Sequence, residues 1–156
     1  MTAPHPDAPV IGLDLGGTKI AAALVGADGT VLARHTVPTP AKEGAEAVLD
    51  ALAVAARAVR VHGTAAIGVA AAGVIDPFTG TVTSATDTIR GWAGTALAAG
   101  LAIRTGLPVA CDNDVRAAAA TELDGPDDDA TLLYAAVGTG VGGAVAAAGR
   151  MLHGAA

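Results

Sequence analysis

Four short stretches of this chain concentrate residue types that can do chemistry. In Asp14-Leu15-Gly16-Gly17-Thr18 a carboxylate precedes two adjacent glycines and a hydroxyl. Paired glycines allow the positive-φ turn of a hairpin and let backbone N–H groups approach an anion with no side chain in the way. Thr18 adds a hydroxyl donor, and Asp14 has the hard oxygens that hold Mg²⁺ through water. An ordinary Gly-Gly hairpin turn beside a chance aspartate explains the same residues. Gly12 to Gly17 has P-loop spacing, but Thr18-Lys19 stands where Lys-Ser/Thr must be, so that motif is excluded.

The second stretch, Gly138-Thr139-Gly140-Val141-Gly142-Gly143, matches G-x-G-x-x-G literally. A dinucleotide site needs a complete helix, a second parallel strand and an acidic residue ~20 positions further on. The sequence stops at Ala156, which leaves no room for them. A second phosphate-holding hairpin around Gly138, Thr139 and Gly140 fits better, with a plain Gly-rich hairpin as the other reading. In the third stretch, Cys111-Asp112-Asn113-Asp114, carboxylates and an amide stand where a strand meets a helix. Asp and Asn are favoured N-caps, and one would suffice; three together leave a carboxylate to act as general base on a substrate hydroxyl. The fourth, Ser84 to Trp92, offers Asp87, Thr88 and Arg90 before the single tryptophan. Such a loop can hydrogen-bond sugar hydroxyls, although a lone Trp more often anchors a helix in the core. The four histidines have no ligand spacing and the single Cys111 excludes a Cys-rich zinc site. Asp127-Asp128-Asp129 reads as a solvated acidic loop.

The elements that must position these residues follow from hydrophobic period. Val10–Asp14, Lys19–Val25 and Thr30–Thr36 read as strands of an antiparallel meander joined by Gly turns. Glu43 to Val61 is an amphipathic helix, with Val48, Leu49, Leu52, Ala55, Ala56 and Val59 at three- and four-residue spacing. Ala65–Ala70 is a continuous apolar run, expected to be a strand buried on both faces. Ile75 to Gly80 is a turn and Thr81–Ser84 a short extended piece. A helix over Trp92–Thr105 ends at Gly106 as C-cap, followed by a strand at Pro108–Cys111 and a helix over Asp114–Leu123. Thr131–Val137 and Val141–Ala147 form the last strand pair. Helices alternating with buried strands imply an α/β sheet with helices packed on it.

Composition bounds the rest. The 156 residues carry 9 Lys+Arg against 15 Asp+Glu, a net charge of −6, which disfavours a nucleic-acid partner. Hydrophobic residues reach 52% while aromatics are 2%, so the core is made of small side chains. Mean hydropathy is +0.52, yet the one long uncharged stretch, Ala130 to Gly149, is broken by five glycines and no membrane span is expected. Met1–Pro9 has three prolines and no apolar segment, so a loose tail and a cytoplasmic location are expected.

Taken together, these residues resemble the ROK (repressor, open reading frame, kinase) family of bacterial sugar kinases and related regulators. The likeness runs through Ile11–Ile20, Gly68–Asp76, Asp112–Ala119, Val137–Gly143 and Gly149–Gly154, in that order over nearly the whole chain. The resemblance implies the actin-like ATPase (ribonuclease H-like) fold, in which two βββαβαβα lobes close on ATP and a sugar. Residues 1–9 would then be a tail, 10–130 the N-terminal lobe, and 131–156 the first hairpin of a second lobe cut short. Gly16, Gly17 and Thr18 would form the first phosphate loop, and Thr139 with Gly138 and Gly140 the second. Asp114 would be the base that deprotonates the attacking sugar hydroxyl, Asn113 would bind the sugar, and Gly73 would border its pocket. The implied reaction is transfer of the ATP γ-phosphate, with Mg²⁺, to a hexose or N-acetylhexosamine; positioned phosphates and an oriented nucleophile are what that chemistry needs.

Three departures qualify the likeness. The family has Asn in the loop before Gly-Trp, where this chain has Thr88. No winged helix precedes Val10, which argues against a DNA-binding regulator. The family's further sugar-binding Glu and His, its Cys-rich zinc motif and its adenosine-binding segment would all lie beyond Ala156. An inactive fragment, or a sugar-binding or regulatory ROK protein, is therefore the alternative to a kinase, and an apolar surface left on an unfinished lobe would leave oligomeric state open, a homo-oligomer included.

Overall fold

The computed structural model describes residues 7–123, 131–137 and 141–153. It forms two compact units, Met1–Asp112 and Asn113–Ala156. In the first, strands β1 (Val10–Leu15), β2 (Lys19–Val25) and β3 (Val31–Pro38) make the expected meander. Helix α1 (Ala45–Val59) then crosses back to β4 (Ile67–Ala71), which lies parallel to β1. A parallel pair needs such a crossover, because no tight turn can join its ends. A hairpin of β5 (Val74–Asp76) and β6 (Thr81–Ser84), helix α2 (Leu97–Thr105) and strand β7 (Val109–Asn113) follow. The five-stranded sheet has the order β3-β2-β1-β4-β7.

Burial alternates along β1 and β2: Ile11, Leu13, Leu15, Ile20, Ala22 and Leu24 are buried, and they share one core with the apolar stripe of α1. That stripe is Val48, Leu49, Leu52, Ala53, Ala55, Ala56 and Val59, the spacing the sequence showed. Asp14 lies on the opposite, exposed side of β1. Strand β4 departs from expectation. Ile67, Val69 and Ala71 are buried, but Gly68 is exposed and Ala70 only half-buried. The strand is covered on one face, and its unbroken apolar run arises because its other face carries only Gly and Ala.

Helix α2 begins at Leu97, five residues later than expected. Gly91 and Gly94 have φ of 67° and 87°, and the chain between them and the helix pairs with β6 instead. The Gly94 N–H donates to the Val82 carbonyl at 2.7 Å, and the Val82 N–H to the Thr95 carbonyl at 2.9 Å. Gly106 closes α2 in the left-handed region, as its position predicted. Arg104 ties α2 to α1, donating to Asp50 at 2.7 Å and Glu46 at 2.6 Å. Those two carboxylates hold its guanidinium above its ordinary pKa.

The second unit contains α3 (Asp114–Ala120), β8 (Thr131–Val137), β9 (Val141–Ala147) and β10 (Arg150–Met151). Its sheet order is β10-β9-β8. Strand β8 pairs with antiparallel β9, with Val137 opposite Val141, so Val141–Gly143 lie in a strand and not in the helix that a dinucleotide motif requires. Strand β10 was not expected from the sequence. Ala148 and Gly149 both adopt positive φ, 49° and 66°, the two-residue turn that folds β10 back on β9.

Candidate functional site

In the first unit, the turn after β1 is built to present backbone. The Gly16 N–H donates to the Lys19 carbonyl at 3.0 Å, which closes the hairpin. Thr39, just past β3, then secures the turn from one side. Its hydroxyl donates to the Gly16 carbonyl at 2.7 Å and its N–H to the Thr18 carbonyl at 3.0 Å. With those carbonyls engaged, and no acceptor among the described residues for the Gly17 and Thr18 N–H groups, the turn is a donor surface. Sequence reasoning did not find Thr39, since nothing in its spacing distinguishes it from any threonine after a strand.

Of the two uses expected of these glycines, the positive-φ turn is not one they serve. Neither Gly16 nor Gly17 has a positive φ. A Cβ on Gly16 would sit 3.2 Å from the Lys19 carbonyl oxygen, and one on Gly17 would sit 2.8 Å from the Thr88 methyl. Close approach, not turn handedness, excludes a side chain at position 17. Gly73 is the converse case, with φ 109° and a Cβ position 2.8 Å from the Ser84 carbonyl oxygen.

Gly17 and Gly73 line one small open recess, together with Ala72, Ala85, Thr86, Thr88, Ile89 and Trp92. Its floor is fixed by Trp92, which is 2% exposed and donates its Nε1–H to the Ala72 carbonyl at 3.1 Å. Trp92 is thus a core residue that also lines the recess. Thr86 and Thr88 bring their hydroxyls to 3.1 Å of each other on the rim. Asp14 lies on the exposed side of β1 just before the turn. Mg²⁺ is held through one or two carboxylates plus substrate phosphates and needs no all-protein cage. Among the described residues no three His, Cys, Asp or Glu side chains converge as a metal cluster.

In the second unit, Asn113 and Asp114 open α3. The Asn113 Oδ1 accepts from the Val115 N–H at 3.0 Å and the Arg116 N–H at 3.2 Å, so Asn113 is the N-cap. Its amide donates to Asp114 Oδ1 at 3.0 Å, and the same oxygen accepts from the Val115 N–H at 2.9 Å. One carboxylate oxygen of Asp114 is therefore held by two donors, which fixes the direction of the other. Gly138, Thr139 and Gly140 lie outside the described residues. Gly142 lies in β9, within the strand expected over Val141–Ala147. A Cβ there would lie 2.6 Å from the Val115 methyl, so this glycine lets α3 approach the hairpin.

Cys111 precedes these residues in β7 and is buried. Burial, aided by the neighbouring Asp112 charge, pushes its thiol up to about 12, so it is no nucleophile at neutral pH.

A family model described as the ROK family matches residues 10–156. The chain belongs to the ROK family. It is 37% identical to a glucokinase of Streptomyces coelicolor over 147 residues, which is 92% of this chain and 45% of that protein. An N-acetylmannosamine kinase of Escherichia fergusonii is 36% identical over 146 residues, 92% of this chain and 49% of that one. Among solved structures, a ROK glucokinase from Streptomyces griseus in complex with glucose and AMPPNP superposes with a TM-score of 0.78 at 34% identity. That likeness covers 94% of this chain and 47% of the other. The α/β fold is accordingly the actin-like ATPase fold of ROK sugar kinases, and this chain spans about half the length of the curated relatives it matches. No helix among the described residues is long and apolar enough to cross a membrane.

Proposed function

We propose that the protein carrying this chain is an ATP-dependent ROK sugar kinase that phosphorylates a hexose or N-acetylhexosamine. The observation that carries this reading is the Gly16–Thr18 turn, a donor surface held by Thr39 and sharing a recess with Gly73. Likeness to a glucokinase that binds glucose and AMPPNP supports it.

In this reading the N–H groups of Gly17 and Thr18 receive phosphate oxygens, and Gly138, Thr139 and Gly140 form the second phosphate turn. Asp14 would hold Mg²⁺, whose charge would offset that building on the transferring phosphoryl group. Gly73 borders the sugar and Asn113 binds it while orienting Asp114. Because Asp114 Oδ1 is engaged by Val115 and Asn113, Oδ2 accepts the proton of the sugar hydroxyl. The deprotonated oxygen attacks the γ-phosphorus, the bond to the bridging oxygen breaks, and ADP leaves. ATP as phosphate donor places the reaction in the cytoplasm. Transfer from γ-labelled ATP to glucose, mannose, N-acetylglucosamine and N-acetylmannosamine tests the assignment. Label is expected on at least one of these sugars, and none on any of them would overturn it.

A further inference from the structure

The turn and the recess touch at one point, and its chemistry is steric. Both Gly17 and Thr88 line the recess, and the Thr88 methyl occupies the place where a side chain at 17 would begin. Thr88 is β-branched, so its χ1 is stiff, and its hydroxyl lies 3.1 Å from that of Thr86. The hydroxyl is thus partnered within its own loop while the methyl meets the turn. Both sides of this contact are backed by fixed structure. Thr39 secures the turn through the Gly16 and Thr18 carbonyls. The loop carrying Thr88 is pinned by the Arg90 N–H, which donates to the Ala41 carbonyl at 3.0 Å, and by buried Ile89 and Trp92.

Two rigidly backed segments in contact cannot shift independently, because close-packed interiors transmit displacement. We propose that Thr88 is a positioning residue that couples the two ligands: its methyl against Gly17 makes anion binding on the turn and polyol binding in the recess depend on each other. This deepens the kinase reading and rests on it. It also gives position 88 a packing role where the family's usual Asn would offer an amide.

The single tryptophan reports on the recess directly, since Trp92 lines it. Titrations of this chain with sodium tripolyphosphate and with glucose, each alone and in the presence of the other, give a coupling factor from Trp92 fluorescence. Coupling is reciprocal, so both orders must return the same factor, expected to be ~5-fold or more. Thr88→Ser removes the methyl, retains the hydroxyl and should bring that factor to about one. Gly17→Ala should weaken tripolyphosphate binding by about 10-fold through overpacking, and the double variant Gly17→Ala/Thr88→Ser should recover most of it. Rescue by the smaller partner is a result that simple damage to the turn would not produce. Binding of both ligands with coupling unchanged in Thr88→Ser, or no rescue of Gly17→Ala, overturns the coupling and leaves the kinase reading standing. Absence of binding of either ligand to the unaltered chain overturns the coupling, whereas absence of label on every sugar of the panel overturns the kinase reading.

Discussion

At the scale of single residues, the site depends on which groups are already engaged. Asn113 was expected to bind a sugar, and its spacing before a helix also made it a capping residue. The structure shows the cap in full, two backbone N–H groups on Oδ1, with the amide turned to Asp114. Gly17 was legible as a glycine that mattered, but not why: the partner that excludes a side chain there, Thr88, lies far along the chain, and local sequence carries no record of such a contact. Cys111 gives a direct chemical prediction. Burial raises its thiol from 9.0 to about 12, so its contribution to stability is complete below the unfolded value and fades as pH rises towards the folded one. Melting temperature is expected to fall between pH 9 and 12 more steeply in the native chain than in Cys111→Ala, and iodoacetamide at pH 8 should label the thiol only after unfolding. Acid acts through other groups. Asp28 and Asp76 accept hydrogen bonds from Thr30, and from Thr79 and Phe78, which lower their pKa values. The stability they provide is present above the ordinary carboxylate range and lost as pH falls through the lowered values. An acid titration followed by circular dichroism should therefore show a later acid transition for the native chain than for Asp76→Asn.

At the scale of elements, helix α1 was readable because its apolar residues recur at helical spacing and have one partner, the sheet. Leu52 is fully buried in that contact. Leu52→Ala should cost about 2–5 kcal/mol, seen as a lower urea midpoint with an unchanged slope. Strand β4 and helix α2 were less legible for opposite reasons. In β4 the outward residues are Gly68 and Ala70, too small and apolar to mark an exposed face in the sequence. Ahead of α2, the segment from Trp92 has helical composition, but pairing with β6 through Val82 supplies its hydrogen bonds instead. Tertiary partners overrode local preference there. The small side chains expected of the core have a place in α1: Ala53, Ala55 and Ala56 are at most 1% exposed, letting helix and sheet pack closely. Gly142 does the same for α3 and β9. Gly142→Val should destabilise the second unit by about 1–3 kcal/mol, and Val115→Ala added to it should recover part of that loss in the same urea titration.

At the scale of the whole molecule, the order of motifs was the strongest signal in the sequence. Each is a short turn that folds of many kinds could use, whereas their sequence over residues 10–156 matches one family. The fold followed from that order together with strand and helix periods. What sequence could not supply was the set of contacts that make turns into sites: Thr39 on the first turn, Trp92 on Ala72, Val115 on Gly142. In the proposed kinase, Asp114 acts as general base in phosphoryl transfer to a sugar. Its most direct test is steady-state kinetics of the Asp114→Ala variant, in the protein carrying this chain, with the sugar identified from the labelling panel. Loss of a general base predicts kcat lower by at least ~100-fold, with the KM for ATP within about threefold of the unaltered enzyme. A kcat that stays within about threefold would contradict the account.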